Sequence, residues 1–243
     1  MTLNKQKGNM YGFITHTWNP LIGQCPHNCS YCSTNKLKKR FPSMNKRYSG
    51  ELRLDEKQFH SLGEGKTIFV CAQNDLFAEE VPIEYIDKVI SHCAKYPENQ
   101  YYFQTKNSRR MYFYLTGFQR SEPEDFLKKQ IYCVTIETNL SILLMGVSAN
   151  SFVVDRAMGI LLLKNAGYKT NITIEPVMNF SVEFFPDFIK WANPDQVNIG
   201  ADSGKNDLHE PSWGKVQKLI EKLEDDGITV WQKKNLERLK NND

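Results

Sequence analysis

Three cysteines stand close together near the start of the chain, in the segment Cys25-Pro26-His27-Asn28-Cys29-Ser30-Tyr31-Cys32, with the spacing C-x3-C-x2-C. Thiolates packed into one short loop suit soft iron, and their number is informative. A [4Fe–4S] cube has four irons, so a set of three cysteines leaves one iron without a protein ligand. That iron is open to an amine and a carboxylate, the pair offered by the methionyl end of S-adenosyl-L-methionine. One electron passed into the sulfonium breaks a C–S bond and yields a 5′-deoxyadenosyl radical, which takes hydrogen from an unactivated C–H bond. The cofactor carries that chemistry and the protein positions it. The plainer readings are a structural zinc loop and a chance grouping. Structural zinc takes four ligands. His27 lies inside the cysteine loop and would reach the fourth position only with strained geometry, and no second CxxC or HxxxH pair occurs in the chain. Cys71, Cys93 and Cys133 are scattered and lie in apolar stretches. They read as core residues, not as ligands of an auxiliary cluster.

The rest of the chain must position that loop. Its 243 residues suit one large domain, and we read residues 1–243 as a single unit with residues 1–10 and 237–243 as flexible ends. At 40% hydrophobic and 24% charged residues, the chain can bury a core and is not disordered. The net charge of +3, from 31 Lys and Arg against 28 Asp and Glu, is too balanced to argue for nucleic acid by itself. No apolar run approaches the ~20 residues of a membrane span, so no membrane partner is expected. Met1 to Gly8 lacks the apolar core of a signal peptide. These features point to the cytoplasm, a reducing compartment in which clustered cysteines are metal ligands more often than disulfides.

Strand-like and helical patterns alternate. Tyr11 to Thr15, Thr67 to Ala72, Tyr101 to Gln104, Gln130 to Ile136, Lys169 to Ile174 and Gln196 to Ile199 read as six strands. Pro82 to Tyr96, Asp155 to Ala166 and the segment from Ser212 through Asp226 read as helices, the last two closed by Gly167 and Gly227. This order predicts an α/β fold with a mostly parallel sheet. Six βα units are too few for a closed eight-stranded barrel and suit a partial (β/α)6 TIM-like barrel. Ligands are then expected at the C-terminal ends of the strands.

The polar blocks fall at those ends: Gln73-Asn74-Asp75-Leu76-Phe77 after the second strand, Gln104-Thr105-Lys106 at the third, and Thr135 and Glu137 at the fourth. Ile174-Glu175-Pro176 and Gly200-Ala201-Asp202-Ser203-Gly204 follow at the fifth and sixth. Lys106 suits the methionine carboxylate or a substrate phosphate. Glu175 is a carboxylate at a strand end, where such groups often meet a ligand. The competing readings are an aspartate capping a loop for Asp75, a surface lysine for Lys106 and solvated strand ends for Thr135 and Glu137. Lys36, Lys38, Lys39, Arg40, Lys46 and Arg47 form a basic stretch after the cysteine loop. It suits either an anionic substrate such as nucleotide or DNA or a solvated helix face.

With an aromatic residue, Tyr31, before the third cysteine, the motif C-x3-C-x-aromatic-C resembles the signature of the radical-SAM superfamily. More narrowly, the chain resembles a phage-associated family of uncharacterised radical-SAM-like proteins. That resemblance rests on Thr17-Trp18-Asn19-Pro20, Asn74-Asp75-Leu76-Phe77, Gln104-Thr105-Lys106, Ile174-Glu175-Pro176, Gly200-Ala201-Asp202-Ser203-Gly204 and Gln232-Lys233, and spans residues 15 to 233. Members usually carry Gly-Gly-Glu-Ser-Gly where this chain has Gly200-Ala201-Asp202-Ser203-Gly204, and an arginine where it has Asn107. The resemblance implies that Cys25, Cys29 and Cys32 bind the cluster and that Tyr31 lies near the adenine. It also implies that Gln73, Asn74 and Asp75 receive the amino group of the methionine, and that Thr135 and Glu137 meet the ribose hydroxyls. Glu175 and Asp202 are then left to fix the substrate. An external electron donor such as a flavodoxin or ferredoxin is expected, and modification or repair of a nucleotide or DNA is the preferred activity. The alternative is a non-catalytic iron–sulfur redox sensor or nucleic-acid-binding protein.

Overall fold

The computed structural model describes residues 3–6, 10–117, 120, 122–140, 147–148 and 152–241. Strand β1 (Asn4–Lys5) lies antiparallel on β2 (His16–Trp18), while β3 (Leu21–Ile22) pairs antiparallel with β4 (Arg53–Leu54) in a separate ribbon. From β2 the sheet continues in chain order through β5 (Thr67–Val70), β6 (Gln100–Thr105), β7 (Ile131–Thr135), β8 (Lys169–Ile174), β9 (Gln196–Ile199) and β10 (Thr229–Gln232). All of these neighbours are parallel. The architecture is the expected α/β partial barrel. One more parallel strand is described than expected, β10, three of whose four residues are exposed. Its single-sequence pattern is therefore weak.

Helices fill the connections: α1 (Ser33–Arg40) and α2 (Pro42–Arg47), then α3 (Ile83–Ala94), α4 (Ser108–Thr116), α5 (Glu124–Lys129) and α6 (Val153–Asn165). They are followed by α7 (Phe185–Ala192), α8 (Trp213–Asp225) and a short α9 (Glu237–Lys240), which buries Leu239. Apolar spacing explains the long ones. α3 buries Ile86, Val89, Ile90 and Cys93, and α8 buries Val216, Leu219, Ile220 and Leu223. Gly167 and Gly227 adopt φ of 84° and 80° after α6 and α8, a backbone region that favours glycine. No helix among the described residues is long and apolar enough to cross a membrane. Of the ends expected to be flexible, residues 1, 2, 7–9, 242 and 243 lie outside the described residues.

Strand alternation divides the apolar residues between two faces. Ile68, Val70, Tyr101, Phe103, Tyr132 and Val134 join the main core with the helices, whereas Phe69, Tyr102 and Cys133 belong to a second, smaller cluster with Tyr11 and Ile14. Here the structure corrects the first expected strand. Tyr11 to Thr15 is not paired as a strand; Ile14 donates back to the Tyr11 carbonyl at 3.0 Å, and the ladder starts at His16. Tyr11 and Phe13 instead fill the barrel interior. The Tyr11 hydroxyl donates to Gln104 Oε1 of β6 at 3.1 Å and shares a hydrogen bond of 2.7 Å with the Thr173 hydroxyl of β8. Phe13 meets Trp231 of β10 edge-on, with ring centroids 5.9 Å apart. Large side chains in a small barrel pack its interior, so the segment reads as apolar for a reason other than strand pairing.

Candidate functional site

The cysteine loop leaves β3 through Gly23, whose φ of 101° suits glycine and where a Cβ would stand 2.2 Å from the Glu51 carbonyl oxygen. Cys32 immediately precedes α1. All three thiols line one cavity of about 30 Å³, shared with Gly23, Asn28 and Gln73, and none is in a disulfide. Cys29 donates to the Ser148 hydroxyl at 3.4 Å. Burial, reinforced by the Asp75 carboxylate and the two neighbouring sulfurs, pushes the Cys25 thiol up to about 12. Among the described residues, no three His, Cys, Asp or Glu side chains are already gathered as ligands of a single metal ion. The donor set nevertheless fits an iron–sulfur cluster: three soft ligands face one cavity, and the coordination it leaves open matches the three-cysteine count.

The strand-end triplet Gln73-Asn74-Asp75 grips this loop at separate points. Gln73 Oε1 accepts from the Thr34 hydroxyl at 2.7 Å, just past Cys32. Asn74 Nδ2 donates to the Gly23 carbonyl at 3.1 Å, just before Cys25. Asp75 Oδ2 bonds His27 Nε2 at 2.7 Å, between Cys25 and Cys29. The same oxygen accepts from the Thr105 hydroxyl at 2.9 Å and the Lys106 amide at 2.8 Å, and Oδ1 accepts from the Phe77 amide at 2.9 Å. Burial alone would raise the Asp75 carboxyl, but His27 and these donors outweigh it and hold the group below its ordinary value. Asp75 thus gives its oxygens to the protein's own donors and joins the cysteine loop to the end of β6.

A second buried network ties Tyr31 to the strand ends. Glu137, with no exposed surface, accepts from Lys106 Nζ and the Tyr31 hydroxyl on one oxygen and from Arg156 Nη1 at 2.7 Å on the other. Lys106 Nζ also reaches the Tyr31 hydroxyl at 2.6 Å, and Arg156 donates to the Thr135 carbonyl at 2.9 Å. Burial opposes ionisation of Glu137, but Lys106 and Arg156 overcome it and bring its carboxyl down to about 2. The Thr135 hydroxyl accepts from Gln104 Nε2 at 3.1 Å, which links it through Gln104 to Tyr11.

Glu175 and Asp202 sit apart from that network and from each other's carboxylates. Glu175 Oε2 accepts from Lys233 Nζ at 2.7 Å, and Oε1 from Asn235 Nδ2 at 3.3 Å. Burial raises its carboxyl above the ordinary value despite Lys233. Gly200 makes room for it, since a Cβ there would lie 2.8 Å from Glu175 Cδ. Asp202 Oδ2 accepts from the Asn206 amide at 2.5 Å and Oδ1 from the Gly204 amide at 2.9 Å. It therefore shapes the loop after β9. Asn235 also donates to the Ala201 carbonyl at 2.6 Å and the Ser203 hydroxyl at 2.8 Å, the neighbours of Asp202 in the chain. Across the mouth, Lys36 of α1 donates to the Gly204 carbonyl.

Sequence reasoning gave no site role to Arg156, Lys233 or Asn235, and weighed His27 only as a zinc ligand. A signal existed for Arg156, a charge set in the apolar stripe of Val153, Ala157, Ile160 and Leu163 on α6. Lys233 lies in the Gln232-Lys233 block of the resemblance, whereas His27 and Asn235 carry no comparable local mark.

The fold is the partial barrel found in radical-SAM enzymes. Spore photoproduct lyase complexed with dinucleoside spore photoproduct superposes with a TM-score of 0.56 at 12% identity, covering 90% of this chain and 63% of that one. The Streptococcus suis SuiB structure bound to S-adenosylmethionine gives 0.52 at 11% identity, over 89% of this chain and 49% of the other. Methylornithine synthase (PylB) gives 0.52 at 13% identity, over 93% and 72%. The chain thus spans less than two thirds of the lyase it matches. By sequence it belongs to the family described as protein of unknown function (DUF5131), whose model matches residues 10–237. No curated protein matches it in sequence.

Proposed function

We propose that this protein is a radical-SAM enzyme whose Cys25, Cys29 and Cys32 hold a [4Fe–4S] cluster and whose substrate is a nucleotide or DNA, modified or repaired in the cytoplasm. The observation that carries the reading is the meeting of the three thiols in one cavity, on a loop gripped by Gln73, Asn74 and Asp75. When bound together, the cluster and S-adenosylmethionine supply reductive cleavage of the sulfonium and a 5′-deoxyadenosyl radical. Tyr31, Lys106, Thr135 and Glu137 form the cofactor side, with Glu137 fixing Tyr31 and Lys106 by charge and hydrogen bonds. Glu175 and Asp202 form the substrate side. Glu175 is held by Lys233 and Asn235, and Asp202 sets the loop that faces α1. The nucleotide assignment draws on the basic stretch of α1 and α2 and on the likeness to a lyase whose structure holds a dinucleoside photoproduct.

Anaerobic reconstitution with iron and sulfide tests the reading. Protein that takes up about four irons per chain and converts S-adenosylmethionine with a reductant into 5′-deoxyadenosine and methionine supports it. Alanine at any one of the three cysteines should abolish both. Stoichiometric zinc without iron, or a reduced cluster that leaves S-adenosylmethionine intact, would overturn it.

A further inference from the structure

Strands β8, β9 and β10 end side by side. Ile174 pairs with Ile199, and Ile199 with Gln232, so the next residues, Glu175, Gly200 and Lys233, form one row at the C-terminal ends. The ladder runs on into that row: the Gly200 amide donates to the Ile174 carbonyl at 3.1 Å and the Lys233 amide to the Ile199 carbonyl at 2.9 Å. Ile174 and Ile199 belong to the core with the helices, so alternation turns Glu175 and Lys233 towards the barrel interior. Gly200 puts no side chain between them. Lys233 Nζ crosses that gap to Glu175 Oε2 and rests 4.7 Å above the ring of Tyr11. Tyr11 is buried and bonds Thr173, the preceding inward residue of β8, so its ring is a floor under the pair. A buried ion pair is weak ground for stability, because desolvation offsets the attraction. This one also has bonding capacity to spare. An ammonium has three N–H donors; Glu175 takes one, and no second hydrogen-bond acceptor meets Lys233 Nζ among the described residues. Glu175 Oε1 has only the long 3.3 Å contact from Asn235. Burial keeps that carboxyl above its ordinary value despite Lys233, so a further N–H donor to it is favourable.

We propose that Lys233 and Glu175 are a donor–acceptor pair that selects a nucleobase edge carrying a carbonyl oxygen beside a ring N–H, the edge shared by guanine, thymine and uracil. The inference rests on the nucleotide reading of the substrate and adds which bases the site takes and which residue chooses them. A phosphate fits less well, because Glu175 stands 2.7 Å from Lys233 and offsets its charge. Depth sets the orientation. The Lys233 side chain is 6% exposed and lies on the floor, whereas that of Glu175 is 20% exposed and lies nearer the opening. In the selected bases the carbonyl oxygen projects from the ring and reaches the deeper donor, and the ring N–H meets the shallower carboxylate. In adenine and cytosine the projecting group is an amine, which would bring donor against donor at Lys233. A base drawn out of its stack is read on this edge by such pairs. The contact is hydrogen bonding alone; no bond forms or breaks.

Equilibrium dialysis of the full chain against DNA trinucleotides with one central base and abasic flanks tests the pair. Central thymine or guanine should bind about tenfold more tightly than central adenine or cytosine. Methylation of thymine N3, which removes the N–H and keeps both carbonyls, should cost a similar factor. Lys233→Met should erase the preference by weakening thymine and guanine while adenine and cytosine hold their affinity; a purely structural lysine would weaken all four alike. That variant strands a buried carboxylate, so Lys233→Met/Glu175→Leu is the second test. Removing both charges together spares the fold, and this protein should bind the four trinucleotides equally. A base preference that survives in both variants overturns the proposal, and so does indifference to N3 methylation. Equal binding of all four by the unsubstituted protein sinks the pair alone, whereas binding of none sinks the nucleotide reading with it. Protein that keeps the base preference but takes up no iron retains the pair and counts against the iron–sulfur reading instead.

Discussion

Glu137 meets Lys106, Arg156 and the Tyr31 hydroxyl with no access to water. Replacing it with Gln leaves two buried cations without their counter-charge, a change that costs about 3–5 kcal/mol in comparable pairs. Urea unfolding of Glu137→Gln at neutral pH should show that loss. The pH dependence has a definite sign. The carboxyl falls from an ordinary 4.5 to about 2 in the folded protein. Its stabilisation is therefore complete above pH 4.5 and drains away as pH falls through 2. The unsubstituted protein should lose stability over that window, and Glu137→Gln should lose less there; parallel curves would refute the network. At this scale the gathering of the cysteines was legible, because three thiols in eight consecutive positions, Cys25 to Cys32, form a local pattern. Glu137 and Lys106 were named from their places at strand ends. Their partner Arg156 was not, because the pairing exists only once α6 packs beside β7.

Among the elements, the turn after β5 has an outsized role. Gln73, Asn74 and Asp75 were read as receivers of the methionine amino group through backbone carbonyls and a side-chain acceptor; their side chains also reach the cysteine loop. Nothing in sequence spacing reveals this, since the contacts join residues about forty to fifty positions apart. Asn74→Ala removes two side-chain hydrogen bonds, to the Gly23 carbonyl and from the Asp75 amide, each worth about 1 kcal/mol, and leaves the sheet untouched. Amide hydrogen exchange from Gly23 to Cys32 should accelerate several-fold while that of β6 to β8 stays constant. Uniform acceleration would mean that the turn supports the whole fold and not the loop. The same scale shows why Tyr11 to Thr15 was misread. Its apolar residues are real, but they pack the barrel interior and pair with no strand, and period-two alternation cannot separate those two uses.

Over the whole molecule, the order of strands follows the order of the chain, so the partial barrel was legible from alternating patterns alone. Its interior was not, because that space is closed by contacts between distant parts of the chain. Tyr11→Phe tests the interior. It removes the hydrogen bonds to Gln104 and Thr173, and should cost about 1–2 kcal/mol in denaturant unfolding with the fold retained by circular dichroism. A neutral substitution would mean that the hydroxyl contributes nothing to holding β6 and β8 together.

The packing of Tyr11 and Phe13 also has a bearing on synthesis. Phe13 rests on Trp231, and Lys233 Nζ stands 4.7 Å above the Tyr11 ring. Tyr11 and Phe13 are synthesised well before Trp231 and Lys233, and wait for them before their aromatic faces are covered. Until then a nascent chain carries that sticky surface exposed, with most of its parallel strands already made. Helpers that shield apolar segments during translation would thus matter for this chain.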